Sequence, residues 1–522
     1  MLLVQNIIRN ATIYKDKTAT EMDGRVNTWS EFTDRVSRAA AALQELGVKE
    51  GDRVGIMSLN SDRYLEAQFA IYWMGAIIVP MNWRWSLDEN VYTAKDAGLA
   101  ALIADDAFSV VAIGVRDAMA ESDSRIPLLH FCDGDPADGF ESWDALIDSS
   151  KPAPVANVDY GSVAGIFYTG GTTGFPKGAV LSHTALWSSG VTGVSDLSMP
   201  SDTIFLHAAP MFHLADMAFS NCTTIAGGSH CFVSTFTPAT TLDAIDKYQA
   251  SFSLLVPTMI GMLLEAPEFK NADISNLKHL VYGASPMPEP ILLKALELMP
   301  DVEFIQGYGQ TEMGPIVSLL PHKYHATEGP NSKLRSAGRP IGCVQVRITD
   351  EDGNELPQGE SGEIRVRGPN ALDRYWNKPE QTAETIIDGW VRTGDIAYMD
   401  EDGFLYICDR AKDMIITGGE NVFSAEVENA ALSHPKVGEV AVVGAPDDKF
   451  GERVHAIVVP AAEAEAITQQ ELYEHCQSLI ASYKCPRSLD IRNEALPLSG
   501  AGKVLKKDLR APYWEGHKKG VA

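Results

Sequence analysis

The chain has 522 residues, of which 45% are hydrophobic, so it can bury a large core and form two to four domains. Its formal net charge of -27 opposes broad binding to nucleic acid or to anionic lipid. An anionic ligand must therefore be held by a local cluster of cations and backbone amides. The seven cysteines show neither a C-x-x-C pair nor a metal-ligand spacing, which argues against a zinc site or a disulfide framework and indicates a reducing compartment.

The N-terminal segment "MLLVQNIIRNATIYKDK" lacks the basic start, long apolar middle and small-residue cleavage site of a signal peptide. The most apolar window, residues 67–83, is interrupted by polar residues, Gly75 and Pro80, and falls short of the roughly 20 residues that span a bilayer. We therefore expect a cytoplasmic protein. Peripheral contact with a membrane and assembly as a homodimer are both compatible with the sequence.

Strand and helix patterns alternate through the first 260 residues. The strands "RVGIMSL", "AIIVPM" and "AALIAD" alternate with a helix over 62–75 and with a helix that begins at the capping box Ser86 to Glu89. The strands "TIFLHAAP", "SHCFVSTF" and "FSLLVP" alternate in the same way with helices over 217–225 and 241–249. This repetition predicts two related α/β halves with parallel strands and crossover helices.

The pattern of predicted strands and helices changes after about residue 330. Two alternating strands in "VQVRITDEDGNELPQGESGEIRVRG", followed by "DGFLYICDR", predict a small antiparallel β subdomain over about 330–408. Next comes an α+β stretch with helices over 424–433 and 468–482 and the strands "EVAVVGAP" and "HAIVVP". We place a domain boundary near 409–412, which divides the chain into residues 1–409 and 410–522.

The segment "YTGGTTGFPKG", residues 168–178, combines glycines, hydroxyl groups and one lysine. Glycines let backbone amides curve around a phosphate without Cβ collisions, and Lys177 adds a mobile positive charge. The Walker A pattern fails here because Pro176 precedes the lysine and Gly178 follows it. The segment therefore predicts a phosphate-binding loop of another type.

This loop resembles the signature loop of the adenylate-forming superfamily, which includes acyl-CoA synthetases, peptide adenylation domains and beetle luciferases. Gly170 stands where the family usually has serine, which removes one hydroxyl group. Four further segments resemble family motifs in the same order along the chain: "QGYGQTE" (306–312), "GWVRTGD" (389–395), "DRAKDMIITGGENVFSAEVE" (409–428) and "PLSGAGKVLKKDLR" (497–510). The resemblance implies an α/β fold in which a large N-terminal domain, formed by two α/β sheet subdomains and a small β-barrel-like subdomain, precedes a small mobile α+β C-terminal domain.

The resemblance also assigns roles in nucleotide binding. Tyr308 would stack on adenine, Thr311 would contact the α-phosphate, Glu312 would hold Mg²⁺ and Asp395 would accept the ribose hydroxyls. Arg410 would also reach the ribose. The ATP or AMP site would comprise Thr169, Gly170, Gly171, Thr172, Thr173, Gly174, Lys177, Gly283, Ala284, Ser285, Gln306, Gly307, Tyr308, Gly309, Thr311, Asp395, Ile407, Arg410 and Lys503, and Thr172 would join Glu312 at the metal.

The implied reaction converts a small-molecule carboxylic acid, ATP and CoA into an acyl-CoA, AMP and pyrophosphate. Lys503 would bridge the substrate carboxylate and the α-phosphate, and Thr311, Glu312 and His213 would complete the catalytic set. The C-terminal domain would then rotate about Lys412. That rotation would bring Gly418, Gly419 and Glu420 to the site, where they would line the CoA tunnel.

The acyl pocket implied by the resemblance comprises His213, Val281, Gly283, Ala284, Gly309 and Met313. Apolar side chains around His213 favour a medium- or long-chain fatty acid as the substrate. Aryl-CoA ligases of the hydroxycinnamate or benzoate kind share every motif quoted above and remain the main alternative. An acyl-AMP ligase, a luciferase-like oxygenase and a non-catalytic binding protein are further alternatives.

Overall fold

The computed structural model describes residues 2–120, 126–170, 176–329, 331–462, 464–498 and 504–515. The elements up to residue 149 are α1 (Val4–Ile13), β1 (Thr18–Met22), β2 (Arg25–Thr28), α2 (Trp29–Glu45), β3 (Arg53–Met57), α3 (Asp62–Trp73), β4 (Ile77–Pro80), α4 (Leu87–Ala97), β5 (Leu99–Asp105), α5 (Ser109–Ala120), β6 (Leu128–Phe131), β7 (Glu141–Ser142) and α6 (Trp143–Ser149).

The middle of the chain continues the alternation of strands and helices. Its elements are β8 (Val163–Thr169), β9 (Lys177–Ser182), α7 (His183–Asp196), β10 (Ile204–His207), α8 (Leu214–Ala226), β11 (Ser229–Phe232), α9 (Pro238–Lys247), β12 (Phe252–Leu255), α10 (Pro257–Glu265), β13 (His279–Gly283), α11 (Glu289–Leu298), β14 (Glu303–Gly309), β15 (Ile316–Leu320) and β16 (Arg339–Pro340).

The last third is richer in strands. Its elements are β17 (Gln345–Thr349), β18 (Gly362–Arg367), β19 (Arg374–Tyr375), α12 (Pro379–Thr385), β20 (Ile386–Ile387), β21 (Trp390–Met399), β22 (Leu405–Arg410), β23 (Ile415–Thr417), β24 (Glu420–Val422), α13 (Ser424–Leu432), β25 (Val437–Asp447), β26 (Gly451–Pro460), α14 (Gln469–Gln477), β27 (Ser488–Ile491) and α15 (Lys506–Arg510). Short 3₁₀ helices cover Asp106–Phe108, Pro267–Asn271, Thr311–Met313, His322–Tyr324 and Ala511–Trp514.

Two large sheets form the first two layers of the fold. The first has the strand order β19-β9-β8-β4-β3-β5-β6-β7, and the second has the order β16-β15-β14-β13-β12-β10-β11-β1-β2. The central pairs of both sheets are parallel, whereas β9 and β15 pair antiparallel with their neighbours. The prediction of two related α/β halves is confirmed.

Helices α3 and α8 lie in the interior of the fold. Every residue of α3 from Tyr64 to Trp73 is buried, and α3 packs on β4 of the first sheet and on β1 and β11 of the second. Residues 216–224 of α8 are also buried. A helix that is buried on all sides lies between layers, so α3 is sandwiched by the two sheets.

The capping box that predicts the start of α4 is present. The Ser86 hydroxyl accepts a hydrogen bond from the Glu89 amide, and Glu89 accepts one from the Ser86 amide in return. Helix α14 is shorter than the predicted 468–482, since it ends at Gln477 and the chain continues in separate turns.

The remaining strands form two smaller sheets. The third is antiparallel in the order β17-β18-β21-β20, and β22 also pairs with β21, which confirms the predicted β unit. The fourth has the order β24-β23-β26-β25, with β27 beside β26. The fourth sheet, α13 and α14 enclose a core of their own, formed by residues such as Ile415, Val427, Val442, Val458 and Leu472. Within the described ranges no helix has the length and apolar character needed to cross a membrane.

Candidate active site

The predicted motifs converge where strands of the first two sheets end and the third sheet begins. The strand β14 ends at Gly309, and β8 ends at Thr169. In α/β sheets, ligands bind beyond the carboxyl ends of parallel strands. The predicted residues around these ends that are half-buried are Thr169, Lys177, Ala284, Ser285, Gln306, Gly307, Tyr308, Gly309, Thr311 and Glu312. Ile407, in β22 of the third sheet, is half-buried as well.

Both ends of the predicted phosphate loop are fixed in the β8–β9 hairpin. Thr169 lies opposite Lys177 in this antiparallel ladder, and its hydroxyl donates to the Lys177 carbonyl at 3.4 Å. Gly170 is exposed at the start of the loop. The four other predicted loop residues, Gly171, Thr172, Thr173 and Gly174, lie outside the described residues.

Glu312 and Lys177 share one neighbour, Tyr375. The Tyr375 hydroxyl donates a hydrogen bond of 2.7 Å to Glu312 Oε1, and Lys177 Nζ lies 5.4 Å from the centre of the Tyr375 ring. Burial, together with the negative charge of Glu312, raises the pKa of Tyr375, so the phenol stays protonated and remains a donor. The structure thus brings the predicted metal ligand and the predicted phosphate-binding lysine together around a single side chain.

The donor set at Glu312 suits Mg²⁺. The Oε2 atom of Glu312 accepts no hydrogen bond from any residue that the structure describes, so one carboxylate oxygen is available to a ligand. Mg²⁺ prefers oxygen ligands and usually takes one or two carboxylates from the protein together with substrate phosphates. Thr172, the second predicted ligand, is among the residues not described.

Tyr308, Asp395 and Arg410 come from three different strands and meet in one cluster. The Tyr308 hydroxyl donates to Asp395 Oδ2 at 2.7 Å, and Arg410 Nε lies 3.2 Å from Asp395 Oδ1. Asp395 and Arg410 are directly opposite each other in the β21–β22 ladder. Burial and the adjacent Asp395 carboxylate raise the pKa of Tyr308 well above its usual value. The structure therefore places three predicted nucleotide-binding residues within direct contact.

Close backbone packing explains two of the predicted glycines. A Cβ on Gly283 would lie 2.1 Å from the Gly307 carbonyl oxygen, and a Cβ on Gly309 would lie 1.8 Å from the Pro315 carbonyl oxygen. Neither backbone atom can move aside as a flexible side chain could. Ala284, which follows β13, has a φ of +64°, a conformation that costs energy for a residue with a side chain and is concentrated at functional sites.

The predicted acyl-pocket residues differ in burial. His213 immediately precedes α8 and is half-buried beside Phe212, and the centres of the two rings lie 4.2 Å apart. Val281 and Met313 are fully buried. Val281 packs in a cluster that includes Phe219 and the neighbouring core side chains Phe205, Phe252, Leu254 and Ile305.

The remaining predicted residues follow Arg410 in the chain. Gly418 and Gly419 form the two-residue turn between β23 and β24, with φ values of +63° and +84°, as a type I′ hairpin turn requires. Glu420 is exposed at the start of β24. Lys412 is exposed, and its carbonyl accepts a hydrogen bond from Arg510 at 3.1 Å. Lys503 lies outside the described residues.

The segment around β19 was not predicted to belong to the site. Besides Tyr375, the Trp376 amide donates to the Gly178 carbonyl at 2.7 Å, and the Trp376 indole donates to the Asp96 carbonyl at 2.9 Å. Asp96 in turn accepts a hydrogen bond of 2.7 Å from the Tyr168 hydroxyl. These contacts support both strands that flank the predicted phosphate loop. The only local signal is the aromatic pair in "RYWNKPE" just before α12.

Comparison with known proteins confirms the family predicted from the motifs. Residues 7–376 match the family model of the AMP-binding enzymes, and residues 426–503 match that of the AMP-binding enzyme C-terminal domain. The feruloyl-CoA synthase of Amycolatopsis sp is 36% identical over 97% of this chain and 98% of its own length. The medium/long-chain-fatty-acid–CoA ligase FadD8 of Mycobacterium tuberculosis is 35% identical over 94% of this chain and 86% of its own.

A solved structure, the amide bond synthetase McbA from Marinactinospora thermotolerans, shares the fold with a TM-score of 0.87 and 28% identity, over 98% of this chain and 99% of that one. The first family model covers well over half of the chain, and the two relatives exceed 30% identity over nearly their full length. The chain therefore belongs to the AMP-binding, adenylate-forming enzymes and is of the acyl-CoA synthetase type.

Proposed function

We propose that this enzyme joins a carboxylic acid to CoA in two steps at one site. The carboxylate attacks the α-phosphorus of ATP, pyrophosphate leaves, and the resulting acyl-adenylate is attacked by the thiol of CoA, which releases AMP. The observation that carries the proposal is the convergence of Tyr308, Asp395 and Arg410 in one cluster close to the end of β14. Both steps develop negative charge on oxygen, so catalysis depends on positioning and on charge stabilisation.

Asp395 is suited to hold the ribose of ATP. A carboxylate has about four lone-pair positions, and two of those on Asp395 are used by Tyr308 and Arg410. The remaining positions can accept hydrogen bonds from both ribose hydroxyls. The Tyr308 ring, held by its hydroxyl, presents a flat face on which adenine can stack.

Glu312 and Lys177 would serve the phosphates. Glu312 would hold Mg²⁺, which when bound neutralises charge on the phosphate oxygens. Lys177 supplies a positive charge at the end of the loop that cradles the phosphates. Lys503 would contact the substrate carboxylate and the α-phosphate during the first step.

The second step needs space for the thiol at the carbonyl carbon that Lys503 contacts in the first. We propose that residues 410–522 form a mobile domain that rotates about Lys412 and exchanges Lys503 for the Gly418–Gly419 turn. This turn carries no side chains, so a narrow pantetheine arm can pass close to its backbone. Glu420, exposed next to the turn, would lie at the mouth of that passage.

For the acid itself, we infer a compact, aromatic substrate in preference to a long fatty acid. The apolar side chains that suggest a fatty-acid tunnel in the sequence, Met211, Phe212, Leu214, Met217 and Phe219, are all buried in the core. Behind Gly283, Val281 packs against the aromatic cluster around Phe219. A feruloyl-CoA synthase is among the relatives, which supports an aromatic acid. The second candidate is a medium- or long-chain fatty acid, because the medium/long-chain-fatty-acid–CoA ligase FadD8 is 35% identical to this chain.

The test is ATP–pyrophosphate exchange with a panel of hydroxycinnamic, benzoic and C6 to C16 aliphatic acids, followed by AMP release with CoA. We expect acid-dependent exchange and CoA-dependent AMP release, with aromatic acids as the best substrates. Exchange without any effect of CoA, or AMP release with an amine in place of CoA, would contradict thioester formation. Preference for acids longer than C10 would establish the second candidate.

A further inference from the structure

Tyr375 occupies a fixed position between two predicted phosphate-site residues. Its backbone pairs with Ala179 of β9, and its amide donates to the Thr382 hydroxyl at 2.9 Å. Tyr375 as a whole is only 7% exposed. Both the backbone and the ring are therefore held by the fold before any ligand arrives.

The polar end of Tyr375 restrains Glu312. Its hydroxyl donates to Glu312 Oε1 at 2.7 Å, while the Glu312 carbonyl accepts a hydrogen bond of 2.8 Å from the amide of Leu372, three residues before Tyr375. The carboxylate is thus held from the side chain and from the backbone by one short segment. A hydrogen bond of this kind fixes the orientation of a metal-binding carboxylate and leaves its second oxygen available.

The face of the Tyr375 ring restrains Lys177. The ammonium group lies 5.4 Å from the ring centre, within the range of a cation–π contact. Such a contact favours one region of space for a side chain that would otherwise move freely. Since the hydroxyl and the ring belong to one rigid group, the positions of Glu312 and Lys177 are coupled.

We propose that Tyr375 is a positioning residue that aims the Glu312 carboxylate and the Lys177 ammonium at the same phosphate group of bound ATP. This inference rests on the proposed function. It assigns separable tasks to the two parts of the side chain: the hydroxyl prepares the Mg²⁺ site, and the ring holds the lysine.

The test uses the full chain and measures ATP binding by isothermal titration calorimetry, without acid, in EDTA and over a series of free Mg²⁺ concentrations. We expect Tyr375→Phe to raise the Mg²⁺ concentration needed for half-maximal tightening of ATP binding about tenfold, since loss of a group that orients a metal ligand typically costs 10- to 100-fold. ATP binding in EDTA should stay within twofold of the unmodified chain, because the phenylalanine ring still faces Lys177.

Tyr375→Leu removes the ring as well, and we expect it also to weaken ATP binding in EDTA by about two- to fivefold, the lower end of the range for cation–π contacts. The matched control is Tyr406→Phe, which removes a tyrosine–carboxylate hydrogen bond, to Asp400 at 3.2 Å, in the third sheet. AMP affinity, which needs neither metal nor Lys177, reports whether each variant is folded. If Tyr375→Leu fails to bind AMP, the phenylalanine variant alone decides.

A Mg²⁺ dependence of Tyr375→Phe within twofold of the unmodified chain, or equal shifts in Tyr375→Phe and Tyr406→Phe, would overturn the proposal. Failure of the proposed function gives a different result, because the unmodified chain would then show no acid-dependent pyrophosphate exchange. Absence of any Mg²⁺ effect on ATP binding by the unmodified chain would overturn the inference directly.

Discussion

Replacing Asp395 with asparagine separates its structural role from its role in nucleotide binding. The Asp395 side chain is 7% exposed and joins Tyr308 to Arg410. In Asp395→Asn the amide oxygen can still accept from Tyr308, but the NH₂ group then faces the Arg410 guanidinium. Two donors face each other there, so the arginine loses its partner.

The expected loss in the free energy of unfolding depends on how exposed the Arg410 side chain is. The Arg410 side chain is 42% exposed, so its pairing with Asp395 is screened and contributes less than about 1 kcal/mol. The bond from Tyr308 changes from charge-assisted to neutral, a loss of about 1 kcal/mol. We therefore expect the free energy of unfolding to fall by about 1 to 2 kcal/mol.

The cost to AMP binding is larger because two ribose hydroxyls would lose a charged acceptor. At about 1 kcal/mol for each hydrogen bond, the dissociation constant of AMP should rise about 30-fold. Calorimetric titration of AMP and urea unfolding measure the two effects separately. Tyr308→Phe is the comparison variant: it retains the carboxylate and the ring, so its AMP affinity should change less than threefold. AMP binding by Asp395→Asn within threefold of the unmodified chain would refute the assignment of Asp395 to the ribose.

Four further predictions concern packing, acid sensitivity and the C-terminal segment. Gly283→Ala should lower the free energy of unfolding in urea by about 1 to 3 kcal/mol, because the new Cβ would clash with a backbone oxygen. Gly261→Ala in helix α10, where a Cβ would lie 3.5 Å from its nearest neighbour, should be neutral or stabilising. Equal effects of the two substitutions would contradict the packing argument. Burial lowers the pKa of His325 to about 4, so from pH 6.5 down to about 4 the unfolded chain binds a proton that the folded chain does not, and the free energy of unfolding should fall on acidification. The urea midpoints at pH 5 and pH 7 should therefore differ less in His325→Asn than in the unmodified chain. An unchanged difference would exclude His325 as the source of the acid sensitivity. Lys503→Ala should slow pyrophosphate exchange about 10²- to 10³-fold, and an unchanged rate would remove Lys503 from the first step. Lys412→Pro should preserve exchange but slow CoA-dependent AMP release, and equal loss of both would contradict a hinge at that position.

The sequence alone predicted the two α/β halves and the antiparallel β unit, whereas the residues of the Tyr308 cluster were predicted from motifs that resemble those of the adenylate-forming family. Those predictions depend on local signals: alternation, capping boxes and motifs in which spacing is set by one turn or one strand. Gly418 and Gly419 form a tight turn with two positive φ angles, a conformation that residues without side chains adopt most easily. Their proposed role beside pantetheine would use the same property.

Side-chain packing between elements was not predictable in this way. In the sequence, Met217 and Phe219 have the spacing and character of tunnel-lining residues, but both are buried in the core. An apolar helix face gives the same pattern whether it faces a ligand or another layer of the protein, since both environments exclude water. Only the position of α8 inside the fold separates the two, and that position depends on contacts from distant parts of the chain.

The contacts of segment 370–376 explain why the position of Tyr375 could not be predicted from the sequence. The Asn370 side chain donates to carbonyls of Met313 and Ile316, on the side of the second sheet, whereas the amides of Asp373 and Trp376 donate to carbonyls of β9 in the first. A strand that serves one sheet repeats its contacts every second residue, and that repetition is the pattern by which strands are recognised. A segment that changes partners midway has no such period. The same change of partner brings Lys177, at the start of β9, to the ring of Tyr375 and Glu312, just after β14, to its hydroxyl. The feature that makes this tyrosine hard to predict from the sequence is therefore the one that allows it to couple the two residues.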